Sequence, residues 1–265
     1  MSSRNVILFG ESGSGKSSIV NMLSNDGHLA NVSSGAMGCT FESRPFTVDI
    51  HGVPMTLWDT AGLDEGDAGR VPKSDAIVQL YNLVRYLSAG VSLLMFVMRA
   101  PRIKSAVPQN WKLFHEVICQ LKVPIVIAIT GLEDLDDMDQ WWRDNKGVFQ
   151  KYGITPVGSA CITASRGKKC GEGHMFDHEY EESRKKVRNL ISASHLEVPW
   201  KVPAAEWYKT IINEIVETES SCFKSKEIRR QEYQTVFGEA YSKLTKVCEM
   251  SESDAQELAK RLRGT

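Results

Sequence analysis

The chain lacks any apolar run approaching the roughly 20 residues that a helix needs to cross a bilayer, which removes a helical membrane span from the readings of its 265 residues. It also lacks net charge. Lys and Arg number 32 against 33 Asp and Glu, leaving −1, so no global field favours nucleic acid or an acidic membrane as partner. Its six cysteines are scattered and form no CxxC pair, so they read as reduced thiols that mostly fill core space. The opening Met1-Ser2-Ser3-Arg4-Asn5 has neither the apolar stretch of a signal peptide nor the glycine that myristoylation needs. The closing Arg261-Leu262-Arg263-Gly264-Thr265 has no prenylatable cysteine. These absences together give the expectation of a cytosolic protein without an intrinsic membrane anchor.

What is present is more specific. Gly10-Glu11-Ser12-Gly13-Ser14-Gly15-Lys16-Ser17-Ser18 has the spacing of a phosphate-cradling P-loop. The apolar run Val6-Ile7-Leu8-Phe9 precedes it and a helical pattern of Ile19, Val20, Met22 and Leu23 follows, which is the strand–loop–helix context the motif requires. Glycines let the backbone wrap phosphate oxygens, successive N–H groups and a helix N-terminus face the negative charge, and Lys16 reaches the β- and γ-phosphates. Ser17 offers its hydroxyl to Mg²⁺. The expectation is a nucleoside triphosphate site.

Short apolar runs alternate with longer amphipathic stretches to about residue 195, the pattern of an α/β domain with a mainly parallel sheet. Six strands are predicted: Asn5–Phe9, Arg44–Ile50, Met55–Trp58, Ser92–Val97, Ile125–Ile129 and Val157–Ile162. The continuous run Val126-Ile127-Ala128-Ile129 suits a central strand covered on both faces. His51-Gly52-Val53-Pro54 reads as a turn that makes the second and third strands antiparallel. Helices are predicted after the P-loop, over Asp75–Leu87, Asn110–Leu121, Met138–Tyr152 and Glu179–Ser194. Cys170, His174 and His178 recur at every fourth residue, but Gly171 and Gly173 argue for a mobile loop there rather than a helical metal site.

Two prolines in Glu197-Val198-Pro199-Trp200-Lys201-Val202-Pro203 mark a boundary. The expected organisation is a nucleotide-binding domain over residues 1–198 and a C-terminal helical extension over 199–265. That extension carries an apolar stripe, including Tyr233, Phe237, Tyr241 and Leu244, suited to packing in cis or to self-association or a protein partner.

Further motifs follow in order. Trp58-Asp59-Thr60-Ala61-Gly62 closes the third strand some forty residues after the P-loop. There Asp59 can hold Mg²⁺ through water and the Gly62 N–H can meet the γ-phosphate. Thr40 lies in a glycine-rich stretch before the second strand and is the candidate to coordinate Mg²⁺ through its hydroxyl while its N–H meets the γ-phosphate. Thr130-Gly131-Leu132-Glu133-Asp134 ends the fifth strand, and a carboxylate from Glu133 or Asp134 can accept the N1–H and exocyclic amine of guanine. Thr163-Ala164-Ser165 is the candidate second base-contacting loop, with Ser159-Ala160 its competitor.

On these residues the chain resembles the translation-factor-class (Ras-like) P-loop GTPases. Within them it is most similar to the septin-related branch of immunity-associated and chloroplast-import receptor GTPases. The branch likeness rests on GESGSGKS, on Gly38-Cys39-Thr40, on DTAG and on Thr130–Leu135, and covers roughly residues 4–167. It implies a three-layer fold, GTP/GDP and Mg²⁺ as ligands, and nucleotide-dependent assembly. Gly131 departs from it by replacing the basic residue that usually supports the purine. Leu63 stands where Ras-like enzymes place the glutamine that orients the attacking water. Catalysis then falls to Lys16, Mg²⁺, Thr40 and Gly62, with Asp64, Glu65 and Asp67 as candidate water-aligning groups and Arg70, Arg99 or Arg102 as candidate arginine fingers. Two functions are expected to compete: a slow GTP-hydrolysing switch and a non-hydrolysing, GTP-dependent assembly scaffold.

Overall fold

The computed structural model describes residues 4–24, 44–60, 83–84, 86–101, 106–112, 114–115, 119 and 121–201. Within them the chain runs β1 (Arg4–Phe9), α1 (Lys16–Leu23), β2 (Arg44–Ile50), β3 (Val53–Asp59), β4 (Leu93–Arg99), α2 (Ala106–Lys112), β5 (Ile125–Thr130), α3 (Met138–Lys151), β6 (Gly158–Cys161), β7 (Lys169–Cys170), β8 (Gly173–His174) and α4 (Asp177–Ser194). The main sheet has six strands in the order β2-β3-β1-β4-β5-β6. Only β2 is antiparallel, running against β3.

Alternation along the central strands builds two cores. Ile7, Phe9, Leu94, Phe96, Met98, Ile125, Ile127 and Ile129 face one way and meet Trp111 and Phe149 from α2 and α3. Phe9 stacks on Phe114 with ring centroids 4.2 Å apart. Val6, Leu8, Leu93, Met95, Val97, Val126 and Ala128 face the other way and meet Ile19 and Leu23 of α1 and Val187 and Ile191 of α4. Every residue of β5 is buried, as a strand covered on both faces requires. The result is the three-layer α/β architecture.

The β2–β3 turn is tighter than its sequence suggests. His51 and Gly52 alone make it, with φ of 52° and 82°, the pair of positive angles that matches the twist of a two-residue hairpin. Val53 and Pro54 already belong to β3, opposite Ile50 and Asp49. Pro54 is tolerated there because β1 pairs with β3 only from Met55 onward.

Helix α2 begins four residues before the predicted Asn110. Pro108 sits in its first turn, where the N–H it lacks has no intrahelical acceptor. The stretch then widens, with the Cys119 N–H donating to the Phe114 carbonyl at 2.9 Å and Leu121 left at φ 59°. The predicted loop around Cys170 is an ordered two-stranded hairpin, with Lys169 opposite His174 and Cys170 opposite Gly173. His178 lies in α4. The predicted helix over Asp75–Leu87 lies almost wholly outside the described residues, as does the C-terminal stripe. Past Pro199, Trp200 and Val91 exchange backbone hydrogen bonds at 2.8 and 2.7 Å. No helix among the described residues is long and apolar enough to cross a membrane.

Candidate functional site

Four parallel strands, β1, β4, β5 and β6, end at one edge of the sheet, and β3 ends beside β1. The loops at this edge carry most of the candidate residues. Gly10 leaves β1 at φ 148°, and a Cβ there would lie 2.0 Å from the Val97 carbonyl oxygen. Only a residue without a side chain lets the loop pass that close to β4. Ser12 and Gly13 are exposed, Glu11 and Gly15 are half-buried, and Ser14 and Lys16 are buried. Gly15 caps α1, and its carbonyl accepts from the Ile19 N–H at 2.9 Å.

The Lys16 ammonium folds back over this loop, donating to the Gly10 carbonyl at 3.1 Å and the Glu11 carbonyl at 2.8 Å. The Ser14 hydroxyl is buried without a hydrogen-bond partner among the described residues. A buried unpaired hydroxyl costs roughly 1–3 kcal/mol, so a loop that keeps one is suited to an incoming acceptor. Ser17 donates from Oγ to Asp59 Oδ2 at 2.6 Å across 42 positions of sequence. Ser18 is half-buried on α1. A hydroxyl beside a carboxylate is an all-oxygen donor pair of the kind hard Mg²⁺ selects, and the unpartnered Ser14 hydroxyl and cradling glycines suit phosphate.

The Thr130 hydroxyl points inward, donating to the Ser14 carbonyl at 2.7 Å, with the Met98 carbonyl at 3.3 Å. It therefore ties the end of β5 to the P-loop. Beyond it Leu132 is buried, Glu133 is half-buried and Asp134 is exposed. After β6, the Thr163 N–H donates to Ser183 Oγ at 3.0 Å and its hydroxyl donates to the Ser165 carbonyl at 2.9 Å. Ala164 packs against the core and Ser165 is exposed. Ser159 and Ala160 lie within β6. Thr40, Gly62, Leu63, Asp64, Glu65, Asp67, Arg70 and Arg102 lie outside the described residues.

Two contacts escaped the sequence. Asn5 donates from Nδ2 to the Gly90 carbonyl at 2.6 Å and accepts from Trp58 Nε1 at 3.0 Å, fixing the tryptophan that precedes Asp59. The second lies just past the end of β5, where the Arg99 side chain runs close to Gly131. Nothing in local periodicity signals either one.

Residues 5–130 match the family model described as 50S ribosome-binding GTPase. Over 153 residues the chain is 41% identical to the tRNA modification GTPase mss1, mitochondrial, of Schizosaccharomyces pombe; this covers 57% of the chain but only 30% of that relative. Among solved structures, Toc33 from Arabidopsis thaliana in complex with GDP and Mg²⁺ matches at 16% identity and a TM-score of 0.50, covering 75% of this chain and 88% of that one. A second match, from work describing dimerization as important for the GTPase activity of chloroplast translocon components, has 16% identity and a TM-score of 0.52, with 73% and 82% covered. The fold is that of the P-loop GTPases. Over residues 5–130, a little under half of the chain, the sequence is similar to that GTPase family model.

Proposed function

We propose that this protein is a guanine-nucleotide-binding switch that hydrolyses GTP to GDP and phosphate slowly. The 2.6 Å contact between Ser17 Oγ and Asp59 Oδ2, beside the buried Lys16, carries the reading. It brings the P-loop hydroxyl and the DTAG carboxylate to one point, where Mg²⁺ would be held. A Mg²⁺ held by Ser17 and Asp59 would supply charge neutralisation to the phosphates.

The chain's own residues supply the rest. P-loop N–H groups and Lys16 receive the phosphates, with Ser12, Gly13, Ser14, Gly15 and Ser18 in the cradle. Thr40 and Gly62 meet the γ-phosphate, and Glu133 or Asp134 accepts from guanine beside Thr163-Ala164-Ser165. Leu63 cannot hydrogen-bond water, so orientation of the nucleophile rests on the surrounding backbone and on any partner. Without an arginine finger, worth about 10³–10⁵ in rate, turnover stays below ~1 s⁻¹.

Leu63 also supports a second reading, a GTP-dependent assembly scaffold with negligible hydrolysis, in which a nucleotide-dependent homodimer or effector complex is the output. The lack of net charge favours protein over nucleic acid as partner, and the scattered cysteines favour the cytosol. The curated relative is described as mitochondrial, and fractionation decides between compartments. Phosphate release from GTP and ATP, with and without Lys16→Ala, tests the main reading. We expect slow, Mg²⁺-dependent release from GTP, none from ATP and none from the variant. Tight GTP binding without release at high protein concentration selects the scaffold. No calorimetric heat with guanine nucleotides refutes both.

A further inference from the structure

The base loop presents an unresolved chemical gap. Gly131 occupies the position of the basic side chain that usually supports the purine, yet the strand-end geometry around it is closely filled. Gly131 has φ +79°, a backbone conformation that an L side chain strains to adopt. A Cβ built on it would lie 3.1 Å from Arg99 Cγ and 3.2 Å from Arg99 Nε. A side chain at 131 would therefore crowd the arginine stem, which would have to give by a few tenths of an ångström. A lysine there would also strain the loop.

Arg99 reaches this place because of register. It is the last residue of β4 and pairs with Thr130, the last residue of β5. The Ala100 N–H then donates to the Thr130 carbonyl at 2.9 Å, locking the two strand ends together just before Gly131. Six of the seven β4 residues are buried and Arg99 alone is exposed, so its guanidinium is delivered to the open edge of the sheet. Gly10 of the P-loop touches Val97, two residues earlier on the same strand. Arg99 thus ends the strand that carries the P-loop contact at Val97 and lies close to Gly131, just before Glu133 and Asp134.

We propose that Arg99 supplies, from β4, the cation that supports the face of the bound guanine, and that Gly131 lacks a side chain to let it cross. This rests on the guanine-nucleotide reading above. A guanidinium is planar, permanently charged and weakly hydrated, which suits stacking on an aromatic face better than an ammonium does. The carboxylates of the loop select the base edge, while Arg99 contributes affinity through its face.

The test displaces a fluorescent GDP derivative from the full chain, using GDP and inorganic tripolyphosphate as competitors. The proteins are wild type, Arg99→Ala, Arg99→Gln and Arg99→Lys, each checked by melting. With Arg99→Ala and Arg99→Gln we expect GDP to weaken about tenfold and tripolyphosphate, which has no base, to compete as in wild type. Arg99→Lys should recover part of the GDP loss. Unchanged GDP competition overturns the inference while leaving the nucleotide site standing, provided Lys16→Ala still abolishes binding. Equal weakening of GDP and tripolyphosphate also overturns it, because Arg99 would then act on phosphate. Lost GTP turnover with unaltered GDP affinity overturns it in favour of an arginine finger. Failure of wild type to bind the fluorescent GDP removes the guanine-nucleotide reading and this inference with it.

Discussion

Replacing Thr130 by valine removes one hydroxyl and adds one methyl of nearly the same shape, and it isolates the bond that joins β5 to the P-loop. That hydroxyl has a single proton. At 2.7 Å the Ser14 carbonyl takes it in preference to the Met98 carbonyl at 3.3 Å. Thr130 and Ser14 are 3% and 2% exposed, so valine leaves the Ser14 carbonyl without that donor in a place water reaches poorly. An unsatisfied buried acceptor of this kind costs about 2 kcal/mol. For a domain of this size each kcal/mol moves Tm by about 2–4 °C, so a fall of about 4–8 °C is expected. Because the bond holds the phosphate loop, affinity for GDP and for inorganic tripolyphosphate should weaken together, unlike the base-selective loss expected from Arg99→Ala. Thr130→Ser keeps the hydroxyl but drops the Cγ2 that lies closest to the Gly15 Cβ position, and should hold most of the Tm. Differential scanning fluorimetry and nucleotide displacement measure both. A Thr130→Val protein with wild-type Tm and wild-type affinities refutes the claim that this contact holds the loop.

Gly10→Ala should destabilise by roughly 3 kcal/mol or more, since its Cβ would lie 2.0 Å from a backbone oxygen. Gly13→Ala meets nothing within 4 Å and should cost only the roughly 1–2 kcal/mol of its positive φ; equal melting temperatures for the two variants would contradict this. Burial pushes the Cys119 thiol up to about 12 and the Cys161 thiol up to about 11, so at pH 8 almost no thiolate is present at either. Peptide mass spectrometry after maleimide treatment of native protein should find exposed Cys170 modified and those two intact. The Arg166 hydrogen bond, followed by the His174 N–H, holds the Asp177 carboxyl below its usual value of 3.8. A depressed folded value gives stability that is fully present above pH 3.8 and lost as pH falls through the lower folded value. Asp177→Asn should therefore flatten the acid limb of the Tm–pH curve, and more weakly in high salt because the pair is solvent-exposed.

How much of this was legible beforehand depends on whether the cause was local. The P-loop can be read because its chemistry lies in consecutive backbone groups and in glycines at stated spacing. The central strands can be read because a parallel strand covered on both faces leaves a continuous apolar run, as in Ile125–Ile129. The Asn5–Gly90 contact spans 85 positions, and Arg99 meets Gly131 only because β4 and β5 end in register. No window of sequence contains either pair. The hairpin at Lys169–His174 was hidden for another reason. Its glycines signal broken helix, but its order comes from contacts beyond the turn: Asp177 accepts from the His174 N–H at 2.7 Å and from Arg166 Nη1 at 2.6 Å.

The threonines at the active edge show why motif residues and contact residues need not coincide. Thr60 after β3, Thr130 at the end of β5 and Thr163 after β6 are 4%, 3% and 0% exposed. Each turns its hydroxyl onto a backbone carbonyl: Leu8 at 2.6 Å, Ser14 at 2.7 Å and Ser165 at 2.9 Å. A hydroxyl committed to a backbone carbonyl has given up its proton and cannot also donate to a ligand. Thr130 and Thr163 thus tie their loops to the backbone, while the neighbouring Glu133, Asp134 and Ser165 are half-buried or exposed. A β-branched residue suits both demands, since it favours the extended backbone of a strand end while its oxygen holds the loop that begins there. Spacing in the sequence marks these positions as candidates, but only burial and hydrogen bonding show which side chains are already committed to holding a loop.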